Sequence, residues 1–395
     1  MSAIVYMIFV ASIMVGNGIY FGPCTIRQYC AVFFFMYVCL NWRKTKRYSK
    51  LLLPYSLFIF LYGISSCVGN NFAAYFRQFI AYYAVSIVAY FSTIIIMEKY
   101  KSYRFFLDSF IVVGLLNAIV NILQYLNSPI GHLLGSAFVD INDEVKMSQF
   151  TRMINGDSAY HMGIMGDIVY NGYYSMVLPF LLLLKAKHMN ATIQIGLVLF
   201  SLISLFTVGE RSCLGITVML LVVYMFFKYH KSPIFYIVCF GLLLCIVMGI
   251  SATISSDVFQ ESRWSERGTD DVRDNINRSA IPFILNHLLL GDLQGFIKLT
   301  DFPPHNVIAS GFIYAGIFGG VCVLYILAYQ AKLSLHSLKN HQNTLLTLAF
   351  VSYTLNGFFH NPAIVTGDVM VWFLWGMVMY FYKQHKKACI KYDKQ

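Results

Sequence analysis

Charge is what this chain has least of. Only 12% of its 395 residues are Asp, Glu, Lys or Arg, about half the share of a soluble globular domain, which excludes a water-exposed surface over most of the molecule. The nine cysteines stand singly and avoid the two longest polar segments, so they supply neither a disulfide framework nor a zinc-ligand spacing. Those polar segments also lack a phosphate-cradling glycine loop, a His pair at i and i+4 and a G-x-S-x-G nucleophile turn. No basic n-region precedes the first apolar stretch and no small-x-small site follows it, so that stretch reads as a span and not a cleaved leader.

What is present is apolar. Hydrophobic residues make up 58% of the chain, with 34 Phe, 28 Tyr and a mean hydropathy of +0.63. These values describe an integral membrane protein. With roughly 20 apolar residues needed per crossing, bounded apolar runs fall at 3–22, 28–42, 51–68, 79–97, 105–125, 168–184, 192–208, 213–227, 233–252, 307–329, 344–359 and 367–382. The expected fold is therefore all-α: one polytopic membrane domain over 1–395 with about twelve transmembrane helices and two long outward loops, 126–167 and 253–304.

The net charge of +11 does not point to nucleic acid, because the basic residues sit in short clusters between apolar runs. Alternate connections (43–50, 98–104, 185–188, 228–231, 332–339 and the tail from 383) hold nineteen of the 29 Lys and Arg. By the positive-inside rule that side is the cytoplasm, and both termini lie there. The ten outward cations are Arg27, Arg77, Lys146, Arg152, Arg211, Arg263, Arg267, Arg273, Arg278 and Lys298; eight are arginine, against three of nineteen inside. Topology is indifferent to Lys versus Arg, but a guanidinium fork matches phosphate oxygens two at a time. The outward face thus reads as built for an anion, although acids such as Asp257, Glu261 and Glu266 offer the same arginines a purely structural partner.

Within the spans the only charges are Asp108 and Asp368, each near a helix end. A proton-coupled carrier would place charge near the bilayer midplane, and no internal repeat is evident. Loops as long as the two outward segments are usually functional. In the second, Ile276, Ile281, Ile284, Leu285 and Leu288 around Arg278 and His287 suggest a short helix along the membrane surface. Pro304-His305-Asn306 stands at the head of span ten, where Asn306 is suited to cap the helix. His305, with an imidazole that titrates near neutrality, is suited to accept a hydroxyl proton or simply to bond the backbone.

The topology, the large loop before span ten, "PHN" followed by "AGIFGG", and an arginine between spans seven and eight together resemble the O-antigen polymerase and O-antigen ligase superfamily, best over 192–330. The resemblance rests on His305 and Asn306 before Gly316 and Gly319, on Arg211 in "VGERSCLG", and on Arg273 eighteen residues before Gly291. Two features depart from the pattern: Glu210 stands where a small residue is usual, and "GDLQG" replaces a closer glycine pair.

The resemblance implies an inverting glycosyl transfer at the periplasmic face of the bacterial inner membrane, without metal or other cofactor. The donor would be an oligosaccharide on undecaprenyl diphosphate. Arg211 and Arg273 would hold the diphosphate, with Arg278 in reserve and Glu210 beside Arg211. His305 would orient or deprotonate the acceptor, while Asn306, Arg152 and His161 would help bind substrate. Membrane lipids and a chain-length regulator protein would be its partners, and nucleic acid would not. Two sizeable outward loops favour a polymerase, whose acceptor is another carrier-linked repeat; a ligase to lipid A core and a lipid-linked oligosaccharide flippase are the alternatives.

Overall fold

The computed structural model describes residues 2–15, 20–21, 24–140, 144–156, 160–186, 190–229, 231, 268–340, 343–359 and 363–392. These residues are helical almost throughout, with one antiparallel ribbon pairing β1 (Tyr20–Phe21) with β2 (Cys24–Thr25). The helices are α1 (Ser2–Met14), α2 (Ile26–Leu40), α3 (Leu52–Val68), α4 (Phe72–Gln78), α5 (Ala84–Tyr100), α6 (Arg104–Tyr125), α7 (Pro129–Ser136), α8 (Glu144–Ile154) and α9 (Ile168–Lys185). They continue with α10 (Ala191–Val208), α11 (Arg211–Tyr229), α12 (Gly268–Asn286), α13 (Leu293–Thr300), α14 (Val307–Lys339), α15 (Thr344–Asn356), α16 (Ala363–Thr366) and α17 (Val369–Tyr392).

Six helical stretches among the described residues are long and apolar enough to cross a membrane: Trp42–Val68, Phe72–Tyr100, Arg104–Tyr125, Ile168–Lys185, Arg211–Lys228 and Val307–Lys339. The expected span at 233–252 lies outside the described residues. The first expected span is shortened, because α1 stops at Met14 after about 20 Å of helix. Gly16-Asn17-Gly18, a turn-favouring sequence, follows it, and the chain then pairs as the β1–β2 ribbon.

Short polar side chains start the helices. Thr25 and Gln28 form a reciprocal capping box on α2, and Asp167, Asn190, Asp292, Asn306 and Asp368 each accept from a backbone N–H in the first turn that follows. Asp368, one of two charges expected inside a span, is thus the cap of α17; the other, Asp108, pairs with Arg104 at 3.1 Å on α6.

The chain forms two compact units, 1–114 with 273–395, and 115–272. In the first, α17 is the core. Every residue from Val369 to Tyr380 is buried, and the helix packs against α5, α14, α15 and α1. A helix apolar on all sides is suited to such a centre. Trp372 stacks on Trp375 at 5.1 Å and meets Tyr55 at 4.2 Å.

Four of the basic connections and Ser2 gather at one end of this unit. Glu98 takes Arg47 and Tyr48, Lys101 at 3.3 Å and Gln384 at 3.4 Å. Lys99 donates to Ser2 at 3.2 Å, and His336 meets His385 at 3.2 Å. The start of α2, the end of α3 and the start of α14 lie at the opposite end.

The second unit turns the expected loop 126–167 into α7 and α8 with a small core of Val139, Phe150, Met153 and Met162, tied to the head of α9 by Lys146 and Asp167 at 3.6 Å. Beneath it runs a buried amide network. Asn117 and Asn121 donate to Asn171 Oδ1 at 2.7 and 3.2 Å, Asn171 donates to Asn121 Oδ1 and the His161 carbonyl at 2.8 and 2.6 Å, and Gln124 and Asn117 accept from Gly163 and Ile164 N–H, both at 2.9 Å.

Candidate functional site

At the end of the first unit opposite its basic loops, α14 begins with Asn306. Its Oδ1 accepts from Ile308 and Ala309 N–H at 2.9 and 3.2 Å, and its Nδ2 donates to Phe358 O at 3.3 Å. Val307 N–H donates to Gly357 O at 2.8 Å. The side chain expected to bind substrate is therefore engaged in capping and fixing the backbone that carries His305, which sits half-buried immediately before the helix.

Ten residues further on, α14 breaks. Ala315 and Gly316 leave helical geometry, Gly316 at φ 64, ψ −160. A β-carbon at Gly316 would stand 2.2 Å from Leu289 O, so glycine is required both for the angle and for the space. The chain between α12 and α13 fills the gap: Ile317 N–H, freed by the break, donates to Leu288 O at 2.7 Å, and Gly291, at φ 69, lies against the Ile313 carbonyl. Ser65 at the end of α3 secures the same turn by donating to Gly291 O at 3.2 Å. A cleft of about 540 Å³ opens beside it, lined by Ser65, Gly69, His287, Gly291 and Asp292 among others.

This turn is the foot of α12, the helix that carries Arg273 and Arg278. Arg278 is exposed; the side chain of Arg273 lies outside the described residues. Of the apolar residues expected to lie along a membrane surface, Ile276 is buried, Ile284 is half-buried, and Ile281, Leu285 and Leu288 are exposed. His287 is committed locally, its ring stacked on Phe283 at 4.1 Å and its Nδ1 at 3.0 Å from Phe283 O.

The other four expected residues belong to the second unit. Gly209 ends α10 in the left-handed conformation at φ 84, and Glu210 and Arg211 follow at the head of α11, Glu210 buried and Arg211 half-buried. His161 is buried, with Nδ1–H donating to Thr207 O at 2.6 Å. Burial pushes its imidazole below the ordinary range, outweighing the Thr207 carbonyl, and His132 adds to the push. It holds the 160–166 segment to α10. Arg152 is exposed on α8.

The structure thus joins His305, Asn306 and the Arg273–Arg278 helix in one unit, and His161, Glu210 and Arg211 in the other. Sequence reasoning missed the break in α14 and the amide network; the signal for the latter was Asn117, Asn121 and Gln124 at i, i+4 and i+7 in an apolar run. No protein-family model matches the chain, and no curated protein matches it.

Proposed function

We propose that this protein is a membrane glycosyltransferase of the O-antigen polymerase type, with about twelve spans, both termini in the cytoplasm and its site at the periplasmic face of the bacterial inner membrane. The observation that carries the reading is the joint between α12 and α14. The helix bearing Arg273 and Arg278 is anchored, through Leu288 and Gly291, into the break of the helix headed by His305 and Asn306. Guanidinium groups and an imidazole are thereby carried on two segments that share one fixed point.

Transfer needs little else from the protein. The acceptor hydroxyl oxygen attacks the anomeric carbon of the donor from the face opposite the diphosphate, the bond to the diphosphate oxygen breaks, and the configuration inverts. His305 takes the hydroxyl proton, and Arg211, Arg273 and Arg278 offset the charge that develops on the departing undecaprenyl diphosphate. No nucleotide is required, which suits a site facing away from the cytoplasm.

Two sizeable outward loops favour a polymerase, whose substrates are both lipid-borne glycans, over a ligase to lipid A core. The flippase reading draws on a polar interior, the Asn117–Asn121–Asn171 network, but its amides are spent on one another and on the 161–164 backbone. The test is purified protein with a single carrier-linked repeat unit, which should yield a ladder on gels. Arg211→Ala, Arg273→Ala and His305→Ala should each lose at least about a hundredfold in rate while still inserting; ladders at the native rate from all three would end the proposal. In a deletion strain, single repeats attached to lipid A core mark a polymerase, unused long chains on the carrier a ligase, and repeats held on the inner leaflet a flippase.

A further inference from the structure

Arg27 opens the second helix on its inner face. It shares that face with Cys30, Ala31, Phe34 and Val38, all buried, whereas Tyr29, Val32 and Met36 on the other side are exposed. Only 6% of Arg27 is accessible. Its Nε has no hydrogen-bond partner, and among the described residues no carboxylate pairs with it. Among the described residues it rests against Tyr82, whose ring lies 5.3 Å from the guanidinium carbon. Tyr82 is itself seated, since a β-carbon on Gly367 would come within 3.0 Å of it.

A desolvated guanidinium without a counter-charge is expensive, and here it stands in the first turn of a fifteen-residue helix, where the dipole adds positive potential. The capping box answers two donors, Thr25 N–H and Gln28 N–H, of the orphan donors such a start presents. Fixed cation, helix start and a buried Nε without a partner all call for the same guest, a multi-oxygen anion bound by a fork. At this end of a membrane-embedded chain, the multi-oxygen anion within reach is phosphate, borne by a lipid or free in solution.

We propose that Arg27, the first turn of α2 and the face of Tyr82 form a binding site for a phosphate group, separate from the residues assigned to glycosyl transfer. The site does not depend on that assignment. Tyr82 holds the guanidinium plane, the Nε edge takes two phosphate oxygens, and the helix start supplies the remaining potential.

The full chain, purified in detergent and stripped of lipid, is titrated separately with inorganic phosphate, short-chain phosphatidic acid and the matching diacylglycerol, following the thermal unfolding midpoint. A saturable rise with inorganic phosphate identifies a free anion; a rise with phosphatidic acid alone identifies a lipid headgroup. Either supports the site if Arg27→Gln weakens the apparent affinity about tenfold or more, as loss of a charge-assisted hydrogen bond requires. Should Arg27→Gln fail to fold, Arg27→Lys, which keeps the charge but not the fork, and Tyr82→Leu carry the comparison, each expected to weaken binding. No saturable response to either phosphate, or equal responses in the native chain and the folded variants, overturns the proposal. Glycosyl transfer is not measured, so failure here leaves the polymerase reading untouched.

Discussion

Leu288 O accepts the Ile317 N–H at 2.7 Å inside a helix that has opened to receive it. A broken helix normally strands the donors of its second half. Here a loop carbonyl from a separate segment satisfies one of them, so the break and the loop hold each other in place. This makes the position of α12, and of the arginines it carries, depend on a single turn.

Gly316→Ala should therefore release the 287–291 turn. The left-handed angle alone costs about 1–3 kcal/mol, and the methyl group would meet the Leu289 carbonyl at 2.2 Å. Limited trypsinolysis of the purified protein should show faster cleavage at Arg278 and Lys298, with α14 still protected; an unchanged digestion pattern would count against the joint.

Asn306 and His305 should separate by kind of defect. Because Asn306 Oδ1 caps α14, Asn306→Asp should keep the unfolding midpoint near native, and Asn306→Ala should lose about 1 kcal/mol. His305→Ala should remove transfer while the protein still folds and inserts. Equal stability losses from Asn306→Asp and Asn306→Ala would show that the cap is not what Asn306 supplies.

Asn171 holds the amide network of the second unit. Asn171→Leu takes the donor away from Asn121 Oδ1 and from the His161 carbonyl, at about 1–3 kcal/mol for each unsatisfied buried group. Thermal unfolding should fall accordingly, and the 160–166 segment should exchange its amide hydrogens faster. Native-like melting of this variant would mean that solvent already reaches the network.

His161 sets an acid limit on the same unit. Burial holds the folded imidazole below its ordinary value of about 6.5. Between that value and the lower folded one the unfolded chain binds the extra proton, so stability is fully present above the unfolded pKa and declines as pH falls through the window. Unfolding midpoints measured from pH 7.5 down to 5 should drop in the native chain and drop less in His161→Gln. Parallel curves would place the acid sensitivity elsewhere.

Helix positions and starts are legible in the sequence because they are local. The apolar runs and the residues Thr25, Asp167, Asn190, Asp292, Asn306 and Asp368 mark them without knowledge of the rest. The gathering of basic connections at one end of the first unit follows from their alternation. What sequence hides is whatever one segment does to another. Gly316 and Gly319 read as small residues before anything shows that Leu288 enters the helix between Ala315 and Ile317, and His161 reads as an available imidazole until Thr207 O accepts its proton. Arg27 looks like one outward arginine among eight; only the fold distinguishes it, by turning it inward against Tyr82.

The burial of α17 on every side bears on how the molecule is made. Ribosomes deliver α1 and α5 early, yet the helix they pack against is synthesised more than 260 residues after α5 ends. During that interval the early helices sit in the bilayer without their centre, shielded by lipid or by insertion machinery. A stop codon ahead of Val369 would forfeit the whole assembly around it, whereas residues 115–272 contain their own packing and would mature on an earlier schedule.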